Sequence, residues 1–269
     1  LNDEEYIIDV SVTDVELLEA FNATEHTYNI PENATVYSLF EKASEENKGK
    51  VCIKANDKEI TFADFKKYAE KIDSKVRKYT KNEKSVIAVI CERSFEMYGA
   101  VYGIIRGGNA YLPIDPNYPQ DRIDYILENS NAKAVVTQDK FCHLAGNVPC
   151  IDATEILNNK EAITAAPILA EENDTAYVIY TSGSTGNPKG VKTSHYTFLL
   201  EALYSSKYLT SGSDIACYVN LTFSFSVVSY SAFVKGANCI IINEYLKENV
   251  PKLIEFLQVT PLDALILPT

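Results

Sequence analysis

Tryptophan is absent from this chain of 269 residues, methionine occurs once and histidine three times. Basic side chains are scarce as well: 25 Lys and Arg face 37 Asp and Glu, a formal net charge of −12. Nucleic-acid backbones and anionic membrane surfaces are recognised through a basic face, so neither is expected as the main partner. A phosphate ligand stays open, because a few backbone N–H groups and one lysine create a local positive site. His26 and His143 carry no signal, and with three histidines in all a hydrolytic Ser-His-Asp triad is unsupported. No stretch approaches the roughly 18 to 20 uncharged apolar residues of a membrane span. The first ten residues, LNDEEYIIDV, lack the basic flank and apolar centre of a signal peptide. The chain opens on Leu rather than Met and reads as a piece of something longer. None of the six cysteines, at 52, 91, 142, 150, 217 and 239, forms the C-x2–4-C spacing of a zinc site or thioredoxin motif. Several lie in apolar runs (VIAVIC, NCIII), so buried free thiols and a cytoplasmic setting are expected.

What is present is a regular alternation of helical and strand periods, with 46% hydrophobic residues to fill a large core. Val36, Leu39, Phe40 and Ala43 recur at helical spacing, as do Phe65, Tyr68, Ala69, Ile72 and Val76. VCIKA and EITF flank NDK as a hairpin. SVIAVI reads as a buried strand, and Ser94 caps a helix carrying Met97, Ala100, Val101, Ile104 and Ile105. Further on, PQDRIDYILENS and a segment from His195 to about Lys207 read as helices, and AKAVVT and AYVIYT as strands. Strand IACYV, helix SVVSYSAFVKG, strand CIII, helix VPKLIEFLQ and strand DALIL complete the series. The fold class is α/β: layered subdomains with mostly parallel sheets covered by helices. Residues 1–30 stand apart as a linker, and a subdomain boundary is placed near 158–174.

In an open α/β sheet, ligands bind beyond the carboxyl ends of strands. TSGSTGNPKG leaves such an end after Tyr180. Gly183, Gly186 and Gly190 let backbone N–H groups approach an anion, while Thr181, Ser182, Ser184 and Thr185 add hydroxyl donors. Lys189 adds the point charge suited to phosphate. The segment is built to wrap a polyphosphate, yet it is no Walker A loop, since Pro188 precedes the lysine and Gly190 follows it.

The whole string AYVIYTSGSTGNPKG resembles the signature of acyl-adenylate-forming enzymes, in particular adenylation domains of nonribosomal peptide synthetases. Other segments agree in the family's order. FNAT (21–24) resembles the end of a linker from an upstream condensation domain, ITFADF an early family segment, and RGGNAYLPIDPNYPQDRIDYIL (106–127) a long one. The resemblance implies ATP-dependent, Mg-dependent activation of a carboxylic acid as acyl-AMP. Transfer to a phosphopantetheine thiol on a carrier protein then follows. It also implies that Thr181, Ser182, Gly183, Ser184, Thr185, Gly186 and Lys189 hold the β- and γ-phosphates, with Thr185 nearest Mg. His195, at the family's spacing from Gly190, is read as stabilising the helix start and loop. Asp115 of PIDP is read as a turn residue first.

One departure stands out. Family members carry Phe-Asp-x-Ser after the phosphate loop, its Asp pairing with the α-ammonium of an amino acid. Here the match is FSFS, so Ser224 stands where Asp is expected, and no Asp occurs between Asp214 and Asp263. Either the substrate lacks an α-ammonium, which is the favoured reading, or another group supplies the charge. Phe223, Ser224 and Val228 are the candidate acid-pocket residues. The family's later parts, including the small C-terminal domain with its catalytic Lys, are not in these 269 residues. Residues 31–269 therefore read as the N-terminal part of an adenylation core, incomplete and inactive alone. An acyl- or aryl-CoA ligase piece and a non-catalytic interaction piece are the alternatives.

Overall fold

A reciprocal cap opens the helix at Val36: Thr35 Oγ1 accepts the Ser38 N–H while Ser38 Oγ accepts the Thr35 N–H. The computed structural model describes residues 15–19, 30–55, 58–158, 165–182 and 187–266. Residues 1–31 form one unit and residues 32–269 another. The second unit is described below.

Helix α1 (Val36–Glu46) leads to β1 (Val51–Ala55) and β2 (Lys58–Thr61), antiparallel as the alternation predicts. Helix α2 (Phe62–Thr80) is capped by Thr61 and stops where Lys81 turns left-handed at φ 54°. Strand β3 (Val86–Ile90) is followed by α3 (Phe95–Arg106), capped by Ser94 as expected, then β4 (Ala110–Pro113) and α4 (Gln120–Ser130). Next come β5 (Val135–Thr137), a 3-10 turn (Asp139–Ala145), β6 (Cys150–Asp152), α5 (Ala153–Asn158), β7 (Thr175–Thr181) and β8 (Lys189–Ser194). The chain continues with α6 (His195–Ser206), β9 (Asp214–Cys217), a 3-10 helix (Ser224–Ser229), α7 (Tyr230–Lys235) and β10 (Asn238–Ile241). Helices α8 (Glu244–Glu248) and α9 (Val250–Val259) precede β11 (Ala264–Ile266).

Among the described residues the strands form two sheets, ordered β6-β5-β3-β4-β7-β8 and β11-β9-β10-β1-β2. Each is parallel except for one antiparallel edge strand, β8 and β2 respectively. Helices α1, α2, α3, α6 and α7 share an aromatic core. Phe65 stacks on Phe233 with ring centroids 5.6 Å apart, Phe40 lies 4.5 Å from Tyr102, and Phe198 meets Tyr230 edge-on at 5.3 Å. Tyr111 and Tyr177 extend this core into the six-stranded sheet. Burial, with the neighbouring Cys52 and Cys239 thiols of the other sheet, raises the Tyr102 phenol well above its usual range.

A buried ionic cluster ties the long β6-to-β7 connection to this core. Asp73, fully buried, accepts two bonds of 2.8 Å from Arg77 and a further one from Arg106. Arg106 also donates to the Ala165 carbonyl at 2.6 Å and Arg77 to that of Ala166 at 2.8 Å. Gly107 passes so close that a Cβ there would lie 2.6 Å from the Asp73 carboxylate.

Two expectations need correction, and one strand was not read from the sequence. Lys189 opens β8, which pairs with β7, ahead of the helix that begins at His195 as expected. SVVSYSAFVKG is not one α-helix but a 3-10 helix followed by the short α7, because three serines compete for backbone carbonyls; Ser229 and Ser231 each bond the carbonyl three residues back. Cys142 and Cys150 are joined in a disulfide, leaving Cys52, Cys91, Cys217 and Cys239 as the buried free thiols.

Candidate active site

The hairpin pairs Thr181 with Lys189, Tyr180 with Gly190, Ile179 with Val191 and Tyr177 with Thr193. Gly190 suits this close pairing: a Cβ there would sit 3.0 Å from both the Tyr180 ring and Val178, so those side chains would have to give way slightly. Thr181, Ser182 and Lys189 are exposed at the end of the hairpin, and Lys189 has no carboxylate within ion-pair reach among the described residues. Gly183, Ser184, Thr185 and Gly186 lie outside the described residues.

Beside the hairpin lies a cavity of about 450 Å³. Tyr118, Tyr177, Tyr180, Ile179 and Val191 give it apolar walls, and Thr181, Ser182, Thr193 and Thr222 supply hydroxyls. Phe223 and Ser224 complete the lining, so the predicted phosphate-side residues Thr181 and Ser182 meet the predicted acid-side residues Phe223 and Ser224. Val228, half-buried in the 3-10 helix, and Lys189 are not among the lining residues. Among the described residues the lining includes no charged side chain, and no group of three or more His, Cys, Asp or Glu is placed to hold a metal ion. Glu201, on α6, accepts the Tyr177 hydroxyl at 3.2 Å; burial raises its carboxyl, and burial with Glu201 nearby pushes the Tyr177 phenol up to about 12.

Loops at the carboxyl ends of both sheets are stitched together here. Asp115, after β4, accepts the Asn117 N–H at 2.9 Å and the Asn220 side-chain amide at 2.8 Å. Asn220 in turn accepts the Thr222 N–H at 3.2 Å, fixing the approach to Phe223. Arg93, after β3, donates to the Tyr218 carbonyl at 2.6 Å and pairs with Glu244 at 2.7 Å. The turn role read for Asp115 is present, and the link to Asn220 adds to it. His195 is 2% exposed, its N–H bonds the Asp174 carbonyl at 2.9 Å, and burial depresses its imidazole to about 4. It is a neutral residue at a helix start, away from the cavity lining. Asn220, Thr222, Tyr118 and Thr193 were not legible as site residues, since their signal is spatial.

The geometry acquires a family from comparison: residues 40–265 match the family described as AMP-binding enzyme. The chain belongs to the AMP-binding enzyme family. Bacitracin synthase 1 of Bacillus licheniformis is 32% identical over 246 residues, which is 88% of this chain and 4% of that relative. This AMP-binding chain thus spans a small part of such synthases, matching an adenylation region within them. The nonribosomal peptide synthetase FmoA3, in an AMPPNP-bound form, superposes with a TM-score of 0.73 at 25% identity, covering 86% of this chain and 25% of that one. The NpsA N-terminal subdomain of Klebsiella oxytoca, in complex with 3-hydroxybenzoyl-AMSN, has a TM-score of 0.71 at 19% identity over 81% of this chain and 56% of that one, a likeness of fold. No described helix of the AMP-binding chain is long and apolar enough to cross a membrane.

Proposed function

We propose that this chain is the nucleotide-gripping and acid-binding part of an enzyme that activates a carboxylic acid with ATP. The product is acyl-AMP, destined for a phosphopantetheine thiol on a carrier protein in cytoplasmic nonribosomal peptide synthesis. One observation carries the reading. The base of a glycine-rich hairpin and the Phe223–Ser224 loop open into the same cavity, and Lys189, paired with Thr181 across the hairpin, has no carboxylate partner among the described residues. A carboxylate seated against Ser224 and a triphosphate held at Thr181 and Ser182 share that cavity, with Lys189 at the hairpin end, an arrangement that favours in-line attack on the α-phosphorus. Hydroxyls and one ammonium at the hairpin suit the β- and γ-phosphates. Mg would add charge neutralisation on the departing pyrophosphate. Thr185 is the residue proposed nearest it, with Gly183, Ser184 and Gly186 completing the grip.

The acid is proposed to lack an α-ammonium: an aryl, hydroxy, keto or fatty acid. A desolvated ammonium left without a carboxylate costs on the order of 3–5 kcal/mol, and none lines the cavity among the described residues. Glu201 supports a second reading, in which an amino acid is met through the Tyr177–Glu201 pair.

The test is acid-dependent ATP–pyrophosphate exchange by the full-length protein over a panel of acids. Exchange with aryl or hydroxy acids, lowered at least tenfold by Lys189→Ala, is the expected result. Activity confined to ordinary α-amino acids and abolished by Glu201→Gln would select the second reading. No exchange with any acid would sink both. The 269-residue piece alone is expected to give none.

A further inference from the structure

Two side chains one turn apart on α4 reach the two arms of the glycine-rich hairpin. Tyr125 donates its hydroxyl to the Pro188 carbonyl at 3.3 Å. Asn129 accepts the Tyr180 hydroxyl at 2.6 Å. These are not arbitrary points on the hairpin. Tyr180 immediately precedes Thr181, Pro188 immediately precedes Lys189, and Thr181 and Lys189 are the last paired residues before the turn. Both bonds therefore fall at the roots of the turn.

The helix that makes them is itself anchored. Ile123, Ile126 and Leu127 pack in the same apolar cluster as Val178 of β7. The Gln120 amide donates to the Leu144 carbonyl at 3.2 Å, holding the other end of α4. Spacing i, i+4 puts Tyr125 and Asn129 on one helix face, so a rigid rod presents a matched donor and acceptor. Fixing both roots sets the direction in which Lys189 leaves the strand and lowers the cost of ordering it on a bound anion.

We propose that Tyr125 and Asn129 are positioning residues for Thr181 and Lys189 of the phosphate site, holding their chain neighbours Tyr180 and Pro188. This rests on the reading of the hairpin as a polyphosphate site. Neither residue need touch the nucleotide.

The experiment compares AMPPNP with AMP, which lacks the β- and γ-phosphates, by calorimetry on the full-length protein carrying Tyr125→Phe or Asn129→Leu. Each variant is expected to weaken AMPPNP by about three- to tenfold, the scale of one hydrogen bond, with AMP affinity unchanged within about twofold. Hydrogen exchange is expected to rise in the peptide over residues 187–191 and to stay at the parent's level in α2 and α3. Melting temperatures within about 5 °C of the parent's establish that both variants fold. Unchanged AMPPNP affinity in two folded variants overturns the proposal. So does equal weakening of AMPPNP and AMP, which would mark a general structural role. A parent protein that binds AMPPNP no more tightly than AMP removes the polyphosphate reading itself, and that failure is visible before any variant is made.

Discussion

The tyrosines of the aromatic core and those of the carboxyl rim share a side chain and little else. Tyr98, Tyr102 and Tyr230 are at most 2% exposed, and burial raises their phenols well above the usual range. The Tyr102 hydroxyl has no hydrogen-bond partner among the described residues. At the rim, Tyr118, Tyr125 and Tyr180 are half-buried, and the last two place their hydroxyls in named bonds to neighbouring loops or helices. At Tyr102 the ring matters and the oxygen is a spectator. At the rim the ring is a lever and the oxygen its working end. A chain without tryptophan has filled its interior with the same residue that it uses to arrange its site.

The contrast can be broken most forcefully by deleting a core ring. Phe233 meets Phe40, Phe65, Tyr98 and Tyr102. Phe233→Ala is expected to lower unfolding stability by about 3–5 kcal/mol in urea melts. A loss below about 1 kcal/mol would mean that the rings do not act as one packed body.

His195 tests whether burial alone governs a polar group held as core residues are. Its imidazole is depressed to about 4 by burial, with Lys84 lowering it further and Asp174 opposing. The unfolded chain therefore binds more protons than the folded one between about pH 6.5 and 4, and stability rises with pH across that window. The contribution is complete above about pH 6.5, and about 3 kcal/mol is lost by pH 4. His195→Gln is expected to flatten this part of the stability–pH curve. An unchanged slope would assign the acid sensitivity to the carboxylates.

The smallest effect is the most pointed. Tyr102→Phe removes a buried, unpartnered hydroxyl, and stability is expected to change by less than about 1 kcal/mol, in either direction. The same substitution at Tyr125 is the one expected to alter polyphosphate binding. If the two substitutions behaved alike, the distinction between core and rim would fail.

Much of the architecture was readable because long amphipathic segments declare themselves. The stripe from Phe65 to Val76 became the buried face of α2, and Ser94 capped α3. Short elements escaped. Strand β6, with three residues, and helix α5, with six, carry too little periodicity to register. Strand β8 was hidden because KGVKTS lacks an apolar alternation; it exists through pairing with β7. Thr181, Ser182, Phe223 and Ser224, singled out as string matches, line one cavity, while Lys189 stands outside its lining. The Asp115–Asn220 link was not, because 105 residues of sequence separate its ends. Nor was the Cys142–Cys150 bond, whose spacing fits no motif.

That bond and the four interior thiols have a practical consequence. With each of the six cysteines of these 269 residues either cross-linked or buried, the folded stretch offers maleimide reagents no ready target. A single cysteine introduced at an outward position, such as Thr193's exposed neighbour Lys192, would become a unique address for a fluorophore. Movements of the hairpin could then be followed without first stripping the background.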